Sequence, residues 1–190
     1  MWNEMLSCFL SLYSLLYQVI VPCSFPEQLR VNTVDHQQYL GKWYFKAAVS
    51  HREADIQKFK ALDSVWFNME KKANNTLLLT GHMRIEDNCV TQSWTYHIHP
   101  DRDDLELEGR THRRNLLWSG TWANCLDCIV FQETEPPLSP TDSEDSLHRL
   151  MLYARQTDGN TDVVTTFLKN AACNNMLASV TLPQEKEFCT

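Results

Sequence analysis

The sequence predicts an all-β fold in which eight antiparallel strands form a sandwich or a barrel and one α-helix follows them. Two observations support this prediction. Short runs of alternating apolar and polar residues recur at regular spacing, as strands joined by short turns do. The composition is also rich in aromatic residues (11%, with six tryptophans) and poor in glycine (five of 190 residues). Such a composition is typical of a packed β protein that encloses an apolar interior.

Most connections between the predicted strands are short. Residues 51–62 have a more helical pattern and are expected to cap one end of the sheet. The longest polar connection, residues 133–146, contains three prolines and is interpreted as a hairpin loop. The eight strands are expected at residues 42–49, 64–70, 76–84, 89–98, 105–110, 115–121, 128–133 and 147–155.

A helix is predicted after the eighth strand. Beyond Asp158-Gly159-Asn160, apolar residues recur three and four positions apart, which places them on one helical face. They are Val163, Val164, Phe167, Leu168 and Ala171. A short strand over residues 177–182 is expected to follow the helix.

The charge balance and the motifs exclude several function classes. The chain has 24 acidic and 17 basic residues and a net charge of −7, whereas proteins that bind phosphate backbones need the opposite balance. Nucleic acid is therefore not expected as a partner. The hydrolase motif G-x-S-x-G and the zinc motif H-E-x-x-H are absent. His97 and His99 are expected to face away from the interior, so we expect neither a metal site nor a cofactor.

Residues 1–21 are predicted to be a targeting segment and residues 22–190 the folded domain. Residues 5–21 carry no charge, and their length is at the lower limit for a membrane span. The small residues that a signal peptidase needs are scarce, since the nearest candidates are Cys23 and Ser24. Two interpretations stay open, a cleaved signal and a retained signal that anchors the protein in lipid. Both lead to the secretory route, where disulfides form.

Two motifs at the ends of the predicted sheet resemble those of the lipocalins. Gly41-Lys42-Trp43 matches the G-x-W at the start of that family's first strand, and Leu152-Tyr153-Ala154-Arg155 matches the L-Y-x-R at the end of its eighth. The resemblance implies a closed eight-stranded up-and-down lipocalin barrel with a C-terminal α-helix. Trp43 and Arg155 would close one end of it, because strand eight ends beside the start of strand one. An arginine over an indole gains about 0.5 to 2 kcal/mol.

Further stretches are similar to a lipoprotein-associated member of the lipocalins. They include YLGKWYF, Val65–Met69, Trp94–His97, His148–Tyr153 and the hydrophobic N-terminus ending in Pro22-Cys23. This resemblance implies a secreted, extracellular carrier of sphingosine-1-phosphate that associates with high-density lipoprotein through its N-terminal anchor. The alternatives are a generic secreted lipocalin that carries a fatty acid or a retinoid, and a lipocalin-type enzyme. With all mature cysteines paired no thiol nucleophile remains, so we expect no enzyme.

Strand alternation places the residues expected to bind the ligand. Side chains on the inward face should line an apolar tube, with Arg149 near its open mouth. Glu133 is counted with this site because it is the expected neighbour of Arg149, and an Arg149–Glu133 rim pair is the alternative to ligand binding. The inward residues are Trp43, Phe67, Gln92, Trp94, Tyr96 and Tyr153.

A lipid phosphate at the mouth would need cationic donors. The resemblance implies that Arg110 and Arg149 correspond to two phosphate-binding arginines of the family, while Gln92 stands in place of the third. Glutamine brings no charge, which favours a different amphiphile such as a fatty acid or a retinoid. Arg84, Arg113 or Arg114 are possible replacements. Arg110 has the alternative of pairing with Glu106 or Glu108.

Six of the seven cysteines lie outside the hydrophobic segment that contains Cys8. The resemblance implies the disulfides Cys23–Cys173 and Cys89–Cys189. By elimination Cys125 and Cys128 pair with each other, since a turn can satisfy disulfide geometry. A redox or zinc role for this C-x-x-C is the alternative. Asn74 is the one glycosylation acceptor in the sequence and is expected in an exposed hairpin turn, used or unused.

Overall fold

The structure, a computed structural model, describes residues 5–12, 23, 26–31, 39–73, 75–137, 146–158 and 161–190. Residues 5–12 are helical. Asn74, the predicted glycosylation site, and most of the N-terminal targeting segment lie outside this part of the chain. Within the described ranges no helix combines the length and the apolar character that a membrane crossing requires.

The described strands form one antiparallel sheet that closes on itself. The strands are β1 Gln28–Leu29, β2 Gly41–Ser50, β3 Ser64–Lys72, β4 Thr76–Ile85, β5 Asn88–Ile98, β6 Leu105–Leu107, β7 Arg114–Ser119, β8 Cys128–Glu135, β9 Leu147–Ala154 and β10 Ala178–Thr181. Each strand from β2 to β9 pairs with the next in an up-and-down order, and the pair β2–β9 closes the barrel. The short strands β1 and β10 pair with β7 and β2. The predicted closed eight-stranded up-and-down barrel is confirmed.

The connection between β2 and β3 folds over one end of the barrel. It contains two 3-10 helices, Glu53–Asp55 and Gln57–Ala61, and we call residues 53–61 the lid. Ile56 is fully buried, and the ring of Phe59 stacks on that of Phe45 with 5.0 Å between centroids. The lid therefore belongs to the hydrophobic core of the barrel, and the helical pattern predicted for this segment is found as 3-10 turns.

A β-bulge in β2 reverses the direction of its side chains. Alternation predicts Trp43, Phe45 and Ala47 on the inner face, but the pairing of β2 with β9 shifts between Phe45 and Ala47. Trp43, Phe45 and Ala48 pack in the interior cluster, and Ala47 packs in the cluster outside the barrel. The prediction for Ala47 is wrong because one extra residue moves every later side chain to the opposite face.

The C-terminal helix, Thr161–Cys173, packs on the outer wall of the barrel. Its predicted apolar stripe faces the sheet, with Val163, Phe167 and Ala171 buried. Phe167 meets Trp122 edge-on at 5.6 Å. This helix fills the outside of the wall and leaves the barrel interior to the strands.

One end of the barrel is closed by the two motifs that suggested the family. The Arg155 guanidinium carbon lies 3.7 Å from the centroid of the Trp43 ring, and its Nη1 donates to the Lys42 carbonyl at 2.9 Å. Gly41 has a φ of +92°, which favours glycine. A Cβ there would lie 3.5 Å from Arg155 Nη1. The remaining hollow at this end is only about 10 Å³.

Three disulfides are formed, Cys23–Cys173, Cys89–Cys189 and Cys125–Cys128. Their Cα atoms are 5.7, 5.7 and 5.4 Å apart, within the ordinary range for this bond. The first two join residues 150 and 100 positions apart and thereby tie both chain ends to the domain. Of the cysteines that the structure describes, Cys8 alone is free.

Candidate functional site

A cavity of about 260 Å³ occupies the half of the barrel next to the lid. Its walls come from inward-facing side chains of β3, β4, β5, β8 and β9, and its roof from the lid residues Lys58 and Phe59 together with Leu62. The packed half below it contains Trp43, Met69 and Leu77, so the cavity is open at the mouth and blind at the other end. The apolar walls are Val65, Phe67, Leu79, Met83, Trp94, Tyr96, Phe131, Met151 and Tyr153.

Four charged side chains lie in the lining of this cavity: Lys58 on the lid, and a cluster of Arg113, Glu133 and Arg149 on the barrel rim. Arg149 Nε donates to Glu133 Oε2 at 2.5 Å, and Arg113 Nη1 lies 3.5 Å from the other oxygen of Glu133. Arg113 also donates to Glu135 from Nε and Nη2, at 3.0 and 2.7 Å. Glu133 is only 5% exposed. The cluster is therefore a buried carboxylate held between two arginines, where charge interactions are little screened by water.

Six of the predicted ligand-binding residues come together around this cavity: Phe67, Trp94, Tyr96, Glu133, Arg149 and Tyr153. Trp43 lies at the closed end, in the packed part of the interior. The pairing of Arg149 with Glu133, which the sequence left as an alternative to ligand binding, is present in the structure.

The structure does not bring Gln92 and Arg110 to the cavity lining. Gln92 is exposed because β5 pairs with β6 only over Tyr96–Ile98, so the mouth half of β5 lacks a neighbour on that side. Arg110 follows the end of β6, and its half-exposed side chain donates to Glu135 at 2.8 Å. Its partner is thus neither Glu106 nor Glu108.

Arg113 takes the place at the cavity where Arg110 was expected. The turn after β6, with Gly109 at a φ of +78°, carries Arg110 outward and returns the chain so that Arg113 lines the cavity. In the sequence, Arg113 is only one of three candidate replacement cations. Strand alternation cannot separate these arginines, because it does not extend through a turn.

Two buried tyrosines supply hydroxyl groups to the wall. Burial, and then the nearby Glu133 carboxylate, raise the pKa of both Tyr96 and Tyr153 well above the usual value. Both side chains therefore remain protonated donors at physiological pH. The Tyr153 hydroxyl contacts the Met151 sulfur at 3.8 Å, a weak acceptor that a polar ligand atom can replace at low cost.

Asp55 fastens the lid to the rim of the barrel. Ser50 Oγ donates to it at 2.7 Å, Arg52 Nη2 at 2.6 Å and the His148 amide at 3.3 Å. Burial acts to raise the pKa of Asp55, but these hydrogen bonds outweigh it and lower that pKa. Arg149 Nη1 also donates to the Asp55 carbonyl at 3.0 Å. The lid and the charged cluster are thus parts of one network.

We expect protonation of His148 to destabilise the rim. Gln132 Oε1 accepts from Trp118 Nε1 at 2.8 Å, which directs the Gln132 amide nitrogen at His148 Nε2, 3.0 Å away. That geometry requires an unprotonated Nε2. Burial, and then the nearby His51, lower the pKa of His148, against a weaker opposite effect of Asp55. The unfolded chain therefore binds this proton first, and stability falls as the pH drops below about 6.5.

The measurement is the urea midpoint at pH 7.5 and at pH 5.5 for the unmodified protein and for His148→Asn. We expect the urea midpoint to fall less between pH 7.5 and pH 5.5 in the variant than in the unmodified protein. Equal losses in both proteins would contradict a role for His148 in the acid response.

Gly81 lets the Trp94 ring lie against β4 in the cavity wall. A Cβ at this position would be 2.7 Å from Trp94 Cζ3, closer than atoms can approach. We expect Gly81→Ala to displace the indole, reduce the cavity and cost about 1 to 3 kcal/mol of stability. Urea unfolding and titration with a fluorescent lipid measure the two effects. Adding Trp94→Leu to this variant should restore part of the stability and part of the lipid affinity. If Gly81→Ala alone changes neither, the Trp94 ring is not held against β4.

Outside the barrel, the described residues also line hollows in the surface. One, of about 200 Å³, is beside Lys46, but this ammonium already donates to the carbonyls of Thr157 and Asp158 at 3.0 and 2.9 Å. Another, of about 320 Å³, is beside Trp118 and His148 on the outer wall. Neither joins an apolar interior to a charged mouth. In the described part of the chain, no group of three or more His, Cys, Asp or Glu side chains is placed to bind a metal ion.

Comparisons with known proteins agree with this architecture. Apolipoprotein M of Rattus norvegicus and that of Mus musculus are each 27% identical to this chain over 197 residues, covering 100% of it and 97% of the relative. The siderocalin Ex-FABP superimposes with a TM-score of 0.61 at 17% identity, covering 80% of this chain and 97% of its own. A second siderocalin gives 0.61 at 19% identity, covering 82% and 95%. The ApoM domain model matches residues 1–190, and the chain therefore belongs to the apolipoprotein M family.

Proposed function

We propose that this protein is a secreted, extracellular carrier that binds one amphipathic lipid in its barrel and catalyses no reaction. The observation on which the proposal depends is the cavity itself, apolar along its walls and charged only at the mouth. Membership of the apolipoprotein M family supports a lipid as the ligand. Each CH₂ group that leaves water for such a cavity gains about 0.8 kcal/mol, so an alkyl chain supplies most of the affinity.

The head group would lie at the cluster of Arg113, Glu133 and Arg149. Arginine presents a fork of donors that suits phosphate and carboxylate oxygens. The Glu133 carboxylate and the Tyr153 hydroxyl suit an ammonium or a hydroxyl group on the same ligand. A zwitterionic lipid of the sphingosine-1-phosphate type satisfies both sets of partners, and it is our first candidate.

A fatty acid or a retinoid is the second candidate, favoured by the charge of the cluster. The lining contains three cations, Lys58, Arg113 and Arg149. The carboxylates of Glu133 and Glu135, which pair with the arginines, reduce their sum to a single positive charge, which matches one carboxylate better than a phosphate. Gln92 adds no charge and is exposed. The two candidates differ in head group and share the same path for the tail.

We also propose that residues 1–21 stay attached and anchor the protein on high-density lipoprotein, with residues 22–190 as the carrier domain. Support comes from the helix over residues 5–12, whose Leu6, Phe9 and Leu10 are 63%, 66% and 63% exposed. Large apolar side chains presented together in this way are suited to the surface of a lipid particle. N-terminal sequencing of the secreted protein tests this part, because a mature chain starting near Cys23 would remove the anchor.

The head-group proposal is tested with the delipidated protein, sphingosine-1-phosphate and sphingosine. We expect the phosphorylated lipid to bind at least about tenfold more tightly, since a charge-assisted hydrogen bond contributes roughly 1.5 to 3 kcal/mol. Arg149→Gln should remove most of this preference. Arg114→Gln is the control, because that arginine is 64% exposed and its Asp104 partner lies outside the cavity lining. Equal binding of the two lipids would contradict the phosphate site.

A further inference from the structure

Both arginines at the cavity are already bound to carboxylates. Arg149 is paired with Glu133, and Arg113 with Glu133 and Glu135. An anionic head group that approaches either guanidinium has to compete with a carboxylate that is in place. A cation without such a partner would bind the same head group with less competition.

Lys58 is such a cation. It lies on the second 3-10 helix of the lid, is exposed, and lines the cavity roof. Among the residues that the structure describes, no carboxylate forms an ion pair with it. Lys60, two positions along, differs in both respects, since it is paired with Glu53 and is absent from the cavity lining.

The packing of the neighbouring lid residues determines the backbone position of Lys58. Its neighbour Phe59 stacks on Phe45 below, and the Arg149 guanidinium carbon lies 4.9 Å from the centroid of the Phe59 ring above the cavity. In the preceding turn, the side chains of Asp55 and Ile56 are buried. The lysine is therefore held beside the mouth on an ordered backbone, while its long side chain keeps the freedom to reach a head group.

We propose that Lys58 binds the anionic head group of the ligand from the lid and makes the carrier selective for lipids with a negative charge. This inference rests on the proposed lipid-carrier function. The two arginines and Glu133 then orient the polar end, and Lys58 supplies the charge that is not already neutralised. Gln92 brings no charge to the mouth and is absent from the cavity lining, so the selectivity resides in the lid.

The test compares Lys58→Gln with Lys60→Gln in the full chain, using oleate and oleyl alcohol as probes. The two probes share one tail and differ in the charge of the head. We expect Lys58→Gln to weaken oleate binding roughly tenfold, as for one lost charge-assisted bond, and to change alcohol binding less than about twofold. Lys60→Gln should leave both affinities unchanged.

Three results with the variants would overturn the inference alone, and one result with the unmodified protein would overturn it together with the carrier function. Unchanged oleate binding in Lys58→Gln would show that the lysine does not contact the head group. An equal loss for oleate and oleyl alcohol would assign the effect to the shape of the lid, and an equal loss in Lys60→Gln would assign it to the general field of the mouth. If the unmodified protein binds neither probe, the carrier function fails together with this inference. Binding of both probes with no effect of Lys58→Gln removes the inference alone.

Discussion

Phe45→Ala is expected to lower the free energy of unfolding by about 3 to 5 kcal/mol, the usual cost of removing a buried aromatic ring. Phe45 is fully buried, stacks on Phe59 of the lid and meets the Tyr153 ring edge-on at 5.5 Å. The empty space left by the ring would separate Phe59 of the lid from Tyr153 of the barrel wall. The lid should then loosen, and lipid affinity should fall together with stability.

Equilibrium unfolding in urea measures the first effect and titration with a fluorescent lipid the second. Leu126→Ala is the control, because this leucine is 90% exposed and contributes little to the core. A loss below about 1 kcal/mol in Phe45→Ala would mean that the ring does not join lid and barrel as the packing indicates.

Glu133→Gln is expected to have the second largest effect. It should lower the stability of the protein and raise its affinity for anions. Removing one partner of a buried ion pair costs about 3 to 5 kcal/mol because the remaining charge is left uncompensated. Here Arg149 loses its partner, while Arg113 keeps Glu135. The freed guanidinium should bind oleate more tightly, so oleate should raise the melting temperature of the variant more than that of the unmodified protein.

The control for this variant is Glu70→Gln, which breaks an exposed pair with Lys72. Exposed pairs contribute about 0 to 1 kcal/mol, so this variant should change neither stability nor oleate binding. If Glu133→Gln behaves like Glu70→Gln, the carboxylate does not neutralise the mouth, and the description of the charged cluster is wrong.

Side-chain alternation predicted the cavity wall wherever the strands are regular. Phe67 on β3, Trp94 and Tyr96 on β5 and Tyr153 on β9 all face the cavity, because each strand keeps its register across that stretch. The prediction failed for Ala47, where the bulge in β2 reverses the alternation. A bulge has no signal in the apolar pattern of GKWYFKAAVS, since Ala47, Ala48 and Val49 are all apolar and suit either face.

The mouth could not be predicted in the same way, because its residues lie on turns. Arg110 and Arg113 differ by three positions, and only the turn after β6 decides which of them reaches the cavity. The lid residues Lys58 and Phe59 had a helical pattern but no indication of which side would face the barrel. The ion pair of Arg149 with Glu133 could be inferred from the sequence as an alternative to ligand binding by Arg149. Both residues are expected at the same end of adjacent strands.

The central claim is that the lipid lies inside the barrel, and the methionine methyl groups test it most directly. Met83 and Met151 line the cavity, whereas Met176 lines the hollow on the outer wall. In a two-dimensional NMR spectrum of protein carrying ¹³C-methyl methionine, one equivalent of oleate should shift the signals of Met83 and Met151 and leave Met176 in place. A shift of Met176 with Met83 and Met151 unchanged would place the ligand outside the barrel and contradict the claim.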